Sequence, residues 1–414
     1  MLKDRNVAFL VAARFISRVG GEAAFFVGVW GKAAFEFDAG AGEIAVLMGG
    51  LGASTIAGTA ISGVLVDRYD PRRVILGAEL LFVPATLAMI VAGSMVQLTL
   101  FGIALGLTGA PVFTAIASFA PYLTSDGTEL QRINSRIESA GLAAFIAGPA
   151  VGAFVVRYAT LDWIFVIDAL TSIVAVALVA PVRLRPVMRS EQTSAWRELR
   201  DGMRYSYRSR QLRFYILMGT ALWFTFGSFA TLEPLFFRDV LGVDVEALGW
   251  VNTVFGLGLV AGAVSLPRLP KAVQSARGLT GIAVANAGGI FVYVGTSRIE
   301  VVVLGALLWG YVIGLFAPLH RTLVHLNSPE EMVGRITGTV AVHAHGGELI
   351  PLAFVPALAA VLGPQRALLG AGVLLGLIGL AAAAEARAID RVRSTPVPRP
   401  EGLLVADEPV SPTP

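Results

Sequence analysis

Apolar runs of about twenty residues recur along the whole chain, and nothing else in the sequence narrows the fold as far. A run of that length is what one helix needs to cross a hydrocarbon layer roughly 30 Å thick. Backbone polar groups inside such a layer must be satisfied within the protein, which favours helices as the spanning elements. Twelve runs are read as spans: Val7–Trp30, Ile44–Val66, Val74–Ala92, Leu98–Ala117, Ile133–Val156, Trp163–Val182, Phe214–Phe237, Leu248–Leu266, Leu279–Val294, Val301–His320, Ile336–Leu362 and Ala367–Ala386. Asp70-Pro71, Ala180-Pro181 and Gly363-Pro364 punctuate the joins. The 414 residues are 55% hydrophobic and 15% charged, against roughly 45–50% and about 25% in soluble domains. That excludes an ordinary soluble enzyme and, for most of the length, disorder. The 46 glycines follow no Gly-X-Y period. Cysteine is absent, which removes disulfides, thiol catalysis, iron–sulfur clusters and Cys-zinc sites. No Walker A, GxSxG or HExxH pattern occurs. Neither an enzyme activity nor a cofactor or metal is expected.

Basic residues set the orientation. With the N-terminus in the cytoplasm, the inner segments hold Lys3, Arg5, Arg68, Arg72, Arg73, Arg132, Arg136, Arg268, Lys271, Arg277, Arg321, Arg335 and the arginines of 183–213 and 387–399. The outer loops hold only Lys32, Arg157, Arg238, Arg298 and Arg366. This asymmetry supports an even number of spans with both termini inside. The polar start Met1–Asn6, with no cleavage site after it, makes the first span an uncleaved signal anchor. The expected organisation is a six-helix bundle at 1–182, a cytoplasmic linker at 183–213, a second six-helix bundle at 214–390 and a disordered tail at 391–414, rich in proline. The linker places Trp196, Leu199, Met203 and Tyr207 on one stripe of an arginine-rich helix, either lying on the inner leaflet or packed on the bundles. The halves share a pattern: Gly106–Pro111 followed by Glu129–Ile133, and Gly314–Pro318 followed by Glu331–Ile336. Such a repeat implies a pseudo-two-fold axis with a site between the halves near the midplane.

After the second span stands Gly63-Val-Leu-Val-Asp67-Arg68-Tyr-Asp70-Pro71-Arg72-Arg73. This segment resembles the signature loop of the major facilitator superfamily: Gly, three residues, Asp-Arg/Lys, one residue, Gly, then basic residues. The arginine-rich Leu199–Arg208 loop and Glu233–Gly242 fit the same resemblance, within the bacterial branch that includes the enterobactin exporter and macrolide-efflux-type proteins. It departs where the usual glycine is Asp70, where Pro71 follows, and in the first span, where Gly20-Gly21-Glu22 stands for the commoner Gly-Asp. The resemblance implies a secondary transporter with two bundles, alternating access, and a cytoplasmic gate at Gly63, Asp67, Arg68, Arg72 and Arg73. Gly63 would permit close helix approach. Asp67 would accept hydrogen bonds in one state and not the other, biasing the equilibrium by a few kcal/mol at most.

Charged residues inside the spans carry the functional reading. Arg14, Arg18 and Glu22 recur every four residues on one stripe of the first span. A charge at the bilayer centre costs about 2.5–3.5 kcal/mol on insertion scales, so the stripe should face a cavity or a helix. Glu22 is read as a protonatable site or substrate contact tuned by Arg18. In the eleventh span His345 and Glu348 share a face and could relay protons, while His343 points elsewhere. Trp223 could line an apolar substrate cavity. Glu79 and Glu138 could join gate networks, Asp168 could pair structurally, and Glu233 could line the outer vestibule. Trp30, Trp163, Trp223, Trp250 and Trp309 partly suit interfacial belts. The expectation is proton-coupled export of a small amphipathic organic compound from a bacterial-type inner membrane. The partners would be that substrate, protons and membrane lipid, without nucleic acid, and the chain would act as a monomer. A lysophospholipid-like substrate, or a non-transporting membrane sensor or scaffold, is the alternative.

Overall fold

The computed structural model describes residues 2–185 and 195–394, and among these every regular element is helical. Helix α1 (Leu2–Ala23) runs on through π-helical turns at Ala24–Val29 and Gly31–Glu36. There follow α2 (Ala41–Arg68), α3 (Pro71–Ala88), α4 (Met95–Ala117), α5 (Gly127–Tyr158) and α6 (Asp162–Val179). The short α7 (Ala195–Arg208) precedes α8 (Arg210–Leu235, extended by a π-helical turn to Leu241), α9 (Val245–Ser265), α10 (Ala276–Val294) and α11 (Ile299–Leu326). The last elements are α12 (Val333–Leu349), α13 (Val355–Leu362) and α14 (Pro364–Ser394). Polar caps start many of these helices: Asp70, Ser94, Asp126, Ser209, Asp244 and Ser275 each accept a backbone N–H of the first turn. Asp70-Pro71, the departure from the signature pattern, is one such start. The Asp70 carboxylate accepts from the Arg72 N–H at 2.7 Å, and Pro71 takes the first helical position.

Nine helices among the described residues are long and apolar enough to cross a membrane, and α12 and α13, bent by 42° at their break, make a tenth. The other two of the expected twelve spans are α1 and α3. They fall short because they carry Arg14, Arg18 and Glu22, and Arg72, Arg73 and Glu79. The eleventh span, expected as one run over Ile336–Leu362, is therefore broken, at the 3-10 turn Ile350–Ala353 that contains Pro351.

Helix pairing repeats between the halves. In the first, α1 packs on α5 and α6, α2 on α4, and α3 on α4 and α6. In the second, α8 packs on α12 and α14, α9 on α11, and α10 on α11 and α14. Glycines make the closest of these crossings. A Cβ on Gly258, Gly262, Gly310 or Gly314 would run into the partner backbone of the α9–α11 pair, and one on Gly58 or Gly106 into α4 or α2. This is the small-residue packing that lets helices approach where burial from water supplies no drive.

Call the end where the described chain starts and finishes the terminal end. The two halves meet toward the other, far end. Gly249 of α9 lies against Pro149 and Ala153 of α5, and Gly49 and Gly52 of α2 lie near Leu352 and Leu349. The apolar core divides the same way. One cluster joins the far half of the first bundle to the second bundle, and a separate one, with Val7, Leu10, Ile75, Phe119 and Ile137, fills the terminal half of the first bundle. Arg238 of α8 donates to the carbonyls of Ala34 (2.7 Å) and Ala39 (3.1 Å) and pairs with Asp38 at 2.8 Å, and Arg157 of α5 pairs with Glu246 of α9 at 3.5 Å. The halves are thus closed at the far end.

Helix α7 packs on α12 rather than lying free. A Cβ on Gly202 would strike the Arg335 carbonyl, and the Tyr207 hydroxyl lies 2.6 Å from His343 Nε2. Gly202 and Ser206 are buried and Leu199 and Met203 half-buried, so the face that docks takes in part of the expected stripe and extends to the small residues beside it. The Trp196 side chain and residues 395–414, expected as a tail, lie outside the described residues.

Lys32, expected in an outer loop, is instead 2% exposed. The π-helical continuation of α1 carries it inward, where its ammonium meets Asp162 at 3.2 Å, Glu36 at 3.3 Å and the Ile90 carbonyl at 3.3 Å. Trp30 and Trp309, at 2% and 3% exposed, are likewise interior rather than interfacial. Removing both acids in Asp162→Asn/Glu36→Gln leaves a buried cation uncompensated and should lower stability by about 2–4 kcal/mol. Adding Lys32→Met should recover most of that loss, read as thermal unfolding of the purified protein in detergent.

Candidate functional site

A cavity of about 300 Å³ opens inside the first half, walled by α1, α2, α3, α4 and α6. Helix α1 supplies its polar edge. The i, i+4 stripe places Arg14, Arg18 and Glu22 on the cavity together, with Phe25 one turn on. Arg18 Nη2 reaches Glu22 Oε1 at 2.6 Å, the side chains being 23% and 12% exposed. The guanidinium carbons of Arg14 and Arg18 sit 4.5 and 4.9 Å from the centre of the Phe113 ring, a cation–π arrangement shared by two cations. Phe25, Phe82 and Phe113 join Leu51, Leu105, Val112 and Ile116 in the apolar remainder of the wall.

Two further carboxylates lie at the back of this cavity. Ser17 donates to Glu79 at 2.8 Å and Thr86 donates to Asp168 at 2.7 Å. The two acids are 2% and 1% exposed. The second oxygen of Asp168 has no hydrogen-bond partner and faces the backbone of Gly20. Helix crossings hold the geometry. A Cβ on Gly148 of α5 would collide with the Glu22 side chain, and one on Gly20 with Thr171 and Asp168 of α6. Sequence spacing found the α1 stripe. It could not pair Thr86 with Asp168, which are 82 residues apart.

The other candidates fall elsewhere. His345 Nδ1 stands 4.0 Å from Glu348 Oε2 on α12, with side chains 45% and 43% exposed, and neither lines this cavity. Trp223 of α8 packs beside Phe226 and Gly347 and does not line it either. The cavity therefore belongs to one half, where a site between the halves was expected. Glu233 is also displaced from its expected place in a vestibule. It is 5% exposed inside the second half, accepting from the Tyr293 hydroxyl at 2.5 Å and from Asn252 at 3.2 Å. Glu138 is exposed, and Glu79 turns to the cavity rather than to a gate. Among the described residues no atom lies within 4 Å of a Cβ built on Gly63, so they make no close helix approach there in this state. Asp67 falls in the last turn of α2, and its side chain lies outside the description. Arg68 and Arg73 are exposed, and the half-buried Arg72 keeps its Nε without a hydrogen-bond partner. Among the described residues, no group of three or more acidic or histidine side chains is placed to hold a metal.

Two helical halves with the same pairing, spans broken and extended by irregular turns, and ionisable groups gathered on an interior cavity define a membrane carrier. The pattern of the Major Facilitator Superfamily matches residues 10–350, and the chain belongs to that family. It is 26% identical over 212 residues to macrolide efflux protein A of Streptococcus pyogenes, covering 49% of this chain and 52% of that protein. The chain thus spans about half the length of the first curated relatives it matches. It is 23% identical over 354 residues to the enterobactin exporter EntS of Escherichia coli O127:H6, covering 83% of each. Among solved structures, the nucleoside transporter NupG superposes with a TM-score of 0.74 at 12% identity, over 92% of this chain and 98% of that one. A bacterial homologue of the iron transporter ferroportin, in its inward-facing state, superposes with a TM-score of 0.69 at 18% identity, over 92% and 99%. These structural likenesses establish the fold alone.

Gly148→Ala should force α5 and α1 apart at Glu22 and lower stability by about 1–3 kcal/mol. Gly141→Ala on the same helix meets nothing nearer than Arg14 at 3.8 Å and should be nearly neutral. Paired thermal melts of the two variants check this.

Proposed function

We propose that this chain is a secondary active transporter that exports a small amphipathic organic compound across a bacterial-type inner membrane, driven by proton entry, with both termini cytoplasmic. The carrying observation is the Arg18–Glu22 pair set on a cavity walled by apolar and aromatic side chains inside the first bundle. Ionisable side chains that face the interior of a membrane bundle mark substrate and proton pathways. Glu22 is the coupling carboxylate and Arg18 the group that holds it between substrate and proton. The His345–Glu348 pair ranks second, as a relay in the other half. Closure at the far end corresponds to a state open to the cytoplasm. Gly63, Asp67, Arg68, Arg72 and Arg73 would then close the inner side in the opposite state. Arg14 and Trp223 are substrate-contacting candidates, Arg14 within the cavity and Trp223 in the second half. The basic terminal end supports the orientation. The efflux relatives support the direction, since one is called a macrolide efflux protein and another an enterobactin exporter. The chain is taken to work as a monomer.

The test uses proteoliposomes with an imposed pH gradient and two probes, a labelled macrolide and enterobactin. Movement of at least one probe should depend on the gradient and collapse with nigericin. Glu22→Gln should reduce gradient-driven movement at least about tenfold, about 1.4 kcal/mol or more in the barrier, while gradient-free exchange continues. Wild-type gradient-driven rates in Glu22→Gln would remove the coupling assignment. Arg238→Ala should loosen the far end, read as faster labelling of a cysteine placed at Ala39.

A further inference from the structure

The charges that line the cavity are not equally reachable. Glu79 and Asp168, at 2% and 1% exposed, are covered and hold hydroxyl donors. Glu22 is taken by Arg18. Half-buried Arg14 is different. The acids that act on it are Glu138, Glu22 and Glu79, and among the described residues none pairs with it. Its Nε has no hydrogen-bond partner, and its guanidinium is held against Phe113 at 4.5 Å. A ligand entering the cavity therefore meets an arginine without an acid, fixed by an aromatic ring and followed one turn on by a second arginine.

A second opening lies toward the terminal end, also along α1. A groove of about 660 Å³ runs between α1 and α5 near the terminal end, with Ala8, Val11 and Phe15 along α1, and Arg132, Arg136 and Ser139 along α5. Arg132 and Arg136 are exposed and one turn apart. Gly141, five residues past Arg136, lies beside Arg14: a Cβ built there would stand 3.8 Å from Arg14 Nε. Two arginines, Arg132 and Arg136, thus stand on the groove at the terminal end, and two more, Arg14 and Arg18, on the cavity further along α1.

We infer that the cavity takes an organic anion, an amphipath with a carboxylate, phosphate or sulfonate head, seated head-first on Arg14 and admitted along the Arg132–Arg136 groove. A guanidinium seated on a ring offers paired N–H donors to such a head. The phenylalanines take the apolar body. Arg18 is the second cation, available to the head when Glu22 releases it. Arginines along a low-dielectric groove raise the local concentration of an anion and speed its arrival. The inference rests on this cavity being the substrate site. It needs neither proton coupling nor export, so a failed Glu22→Gln experiment leaves it standing.

The test is equilibrium binding without any gradient, by calorimetry on the full chain in a maltoside micelle near pH 7. The probes share one body and differ in the head: naphthylbutanoate, naphthylbutylamine and naphthylbutanol. The carboxylate should bind at least about tenfold tighter than the other two. Arg14→Gln should bring it to the level of the alcohol, whose own affinity stays unchanged and shows that the pocket is folded. If alcohol binding is lost as well, Arg14→Lys decides, with a partial carboxylate preference expected. Stopped-flow fluorescence should show that Arg132→Gln/Arg136→Gln slows carboxylate association and flattens its salt dependence, with affinity within about twofold of wild type. An amine that binds more tightly, equal or absent binding of all three, or a preference that survives Arg14→Gln overturns the anion assignment. An unchanged association rate in the double variant overturns the groove as its route.

Discussion

Charge on the first helix is what the rest of the molecule is built around. Arg14, Arg18 and Glu22 sit in a segment that must lie among apolar helices, and each would cost about 2.5–3.5 kcal/mol facing lipid at the bilayer centre. The structure answers by turning all of them to one cavity, pairing Arg18 with Glu22 and laying both guanidiniums on Phe113. Helix α3 gives up apolar length in the same cause, since its Glu79 faces that cavity and takes a hydroxyl from α1. Two helices that hydropathy alone does not mark as spans are thereby held by their neighbours. The glycine crossings at Gly148 and Gly20 are where the neighbours come close enough to do it.

The halves repeat one another in pairing and not in chemistry. Where the first bundle encloses arginines and acids, the second is filled by rings. Trp309 packs on Phe229 at 4.3 Å and on Phe255 at 5.0 Å, and its indole N–H donates to Asn286 at 2.7 Å. Glu233, the interior acid of α8, is clamped there by Tyr293 and Asn252. A bundle packed with stacked aromatics deforms little, because dense interiors transmit displacement rather than absorb it. In the proposed cycle the second half moves as a body against a first half that holds the ligand.

Much of this was legible in the amino-acid order, and the misses share a cause. Run length and basic asymmetry set the number of helices, and spacing by four put Arg14, Arg18 and Glu22 on one face. Lys32 was misplaced because hydropathy reads a lysine after Trp30 as the end of a span. Only two π-helical stretches, invisible to a 3.6-residue period, carry α1 on to Glu36. Glu233 and Asp168 were placed loosely for another reason. Their partners Tyr293 and Thr86 stand 60 and 82 residues away, and such pairings are set by helix arrangement, not by local order. Spacing marks Leu199, Met203 and Tyr207 of the linker but not Gly202, whose close approach to the Arg335 carbonyl depends on where α12 lies.

Closure at the far end has to be modest if the halves are to part. Arg238 makes two hydrogen bonds to carbonyls of the first half and one ion pair with Asp38, itself 87% exposed. A neutral hydrogen bond contributes about 0.5–1.5 kcal/mol and a charged donor about 1.5–3, while an exposed pair adds roughly 0–1. Asp38 takes its place at φ +50, a backbone region that costs a non-glycine residue about 1 kcal/mol or more. The second bridge, Arg157–Glu246, is longer at 3.5 Å, and its arginine is 58% exposed. These polar contacts contribute a few kcal/mol to closure, an amount that a ligand with differential affinity can offset. A tighter far end, built around a buried cation such as Lys32, would fix the chain in one state. The structure keeps that kind of interaction within a half and places the weaker, wetter kind between the halves.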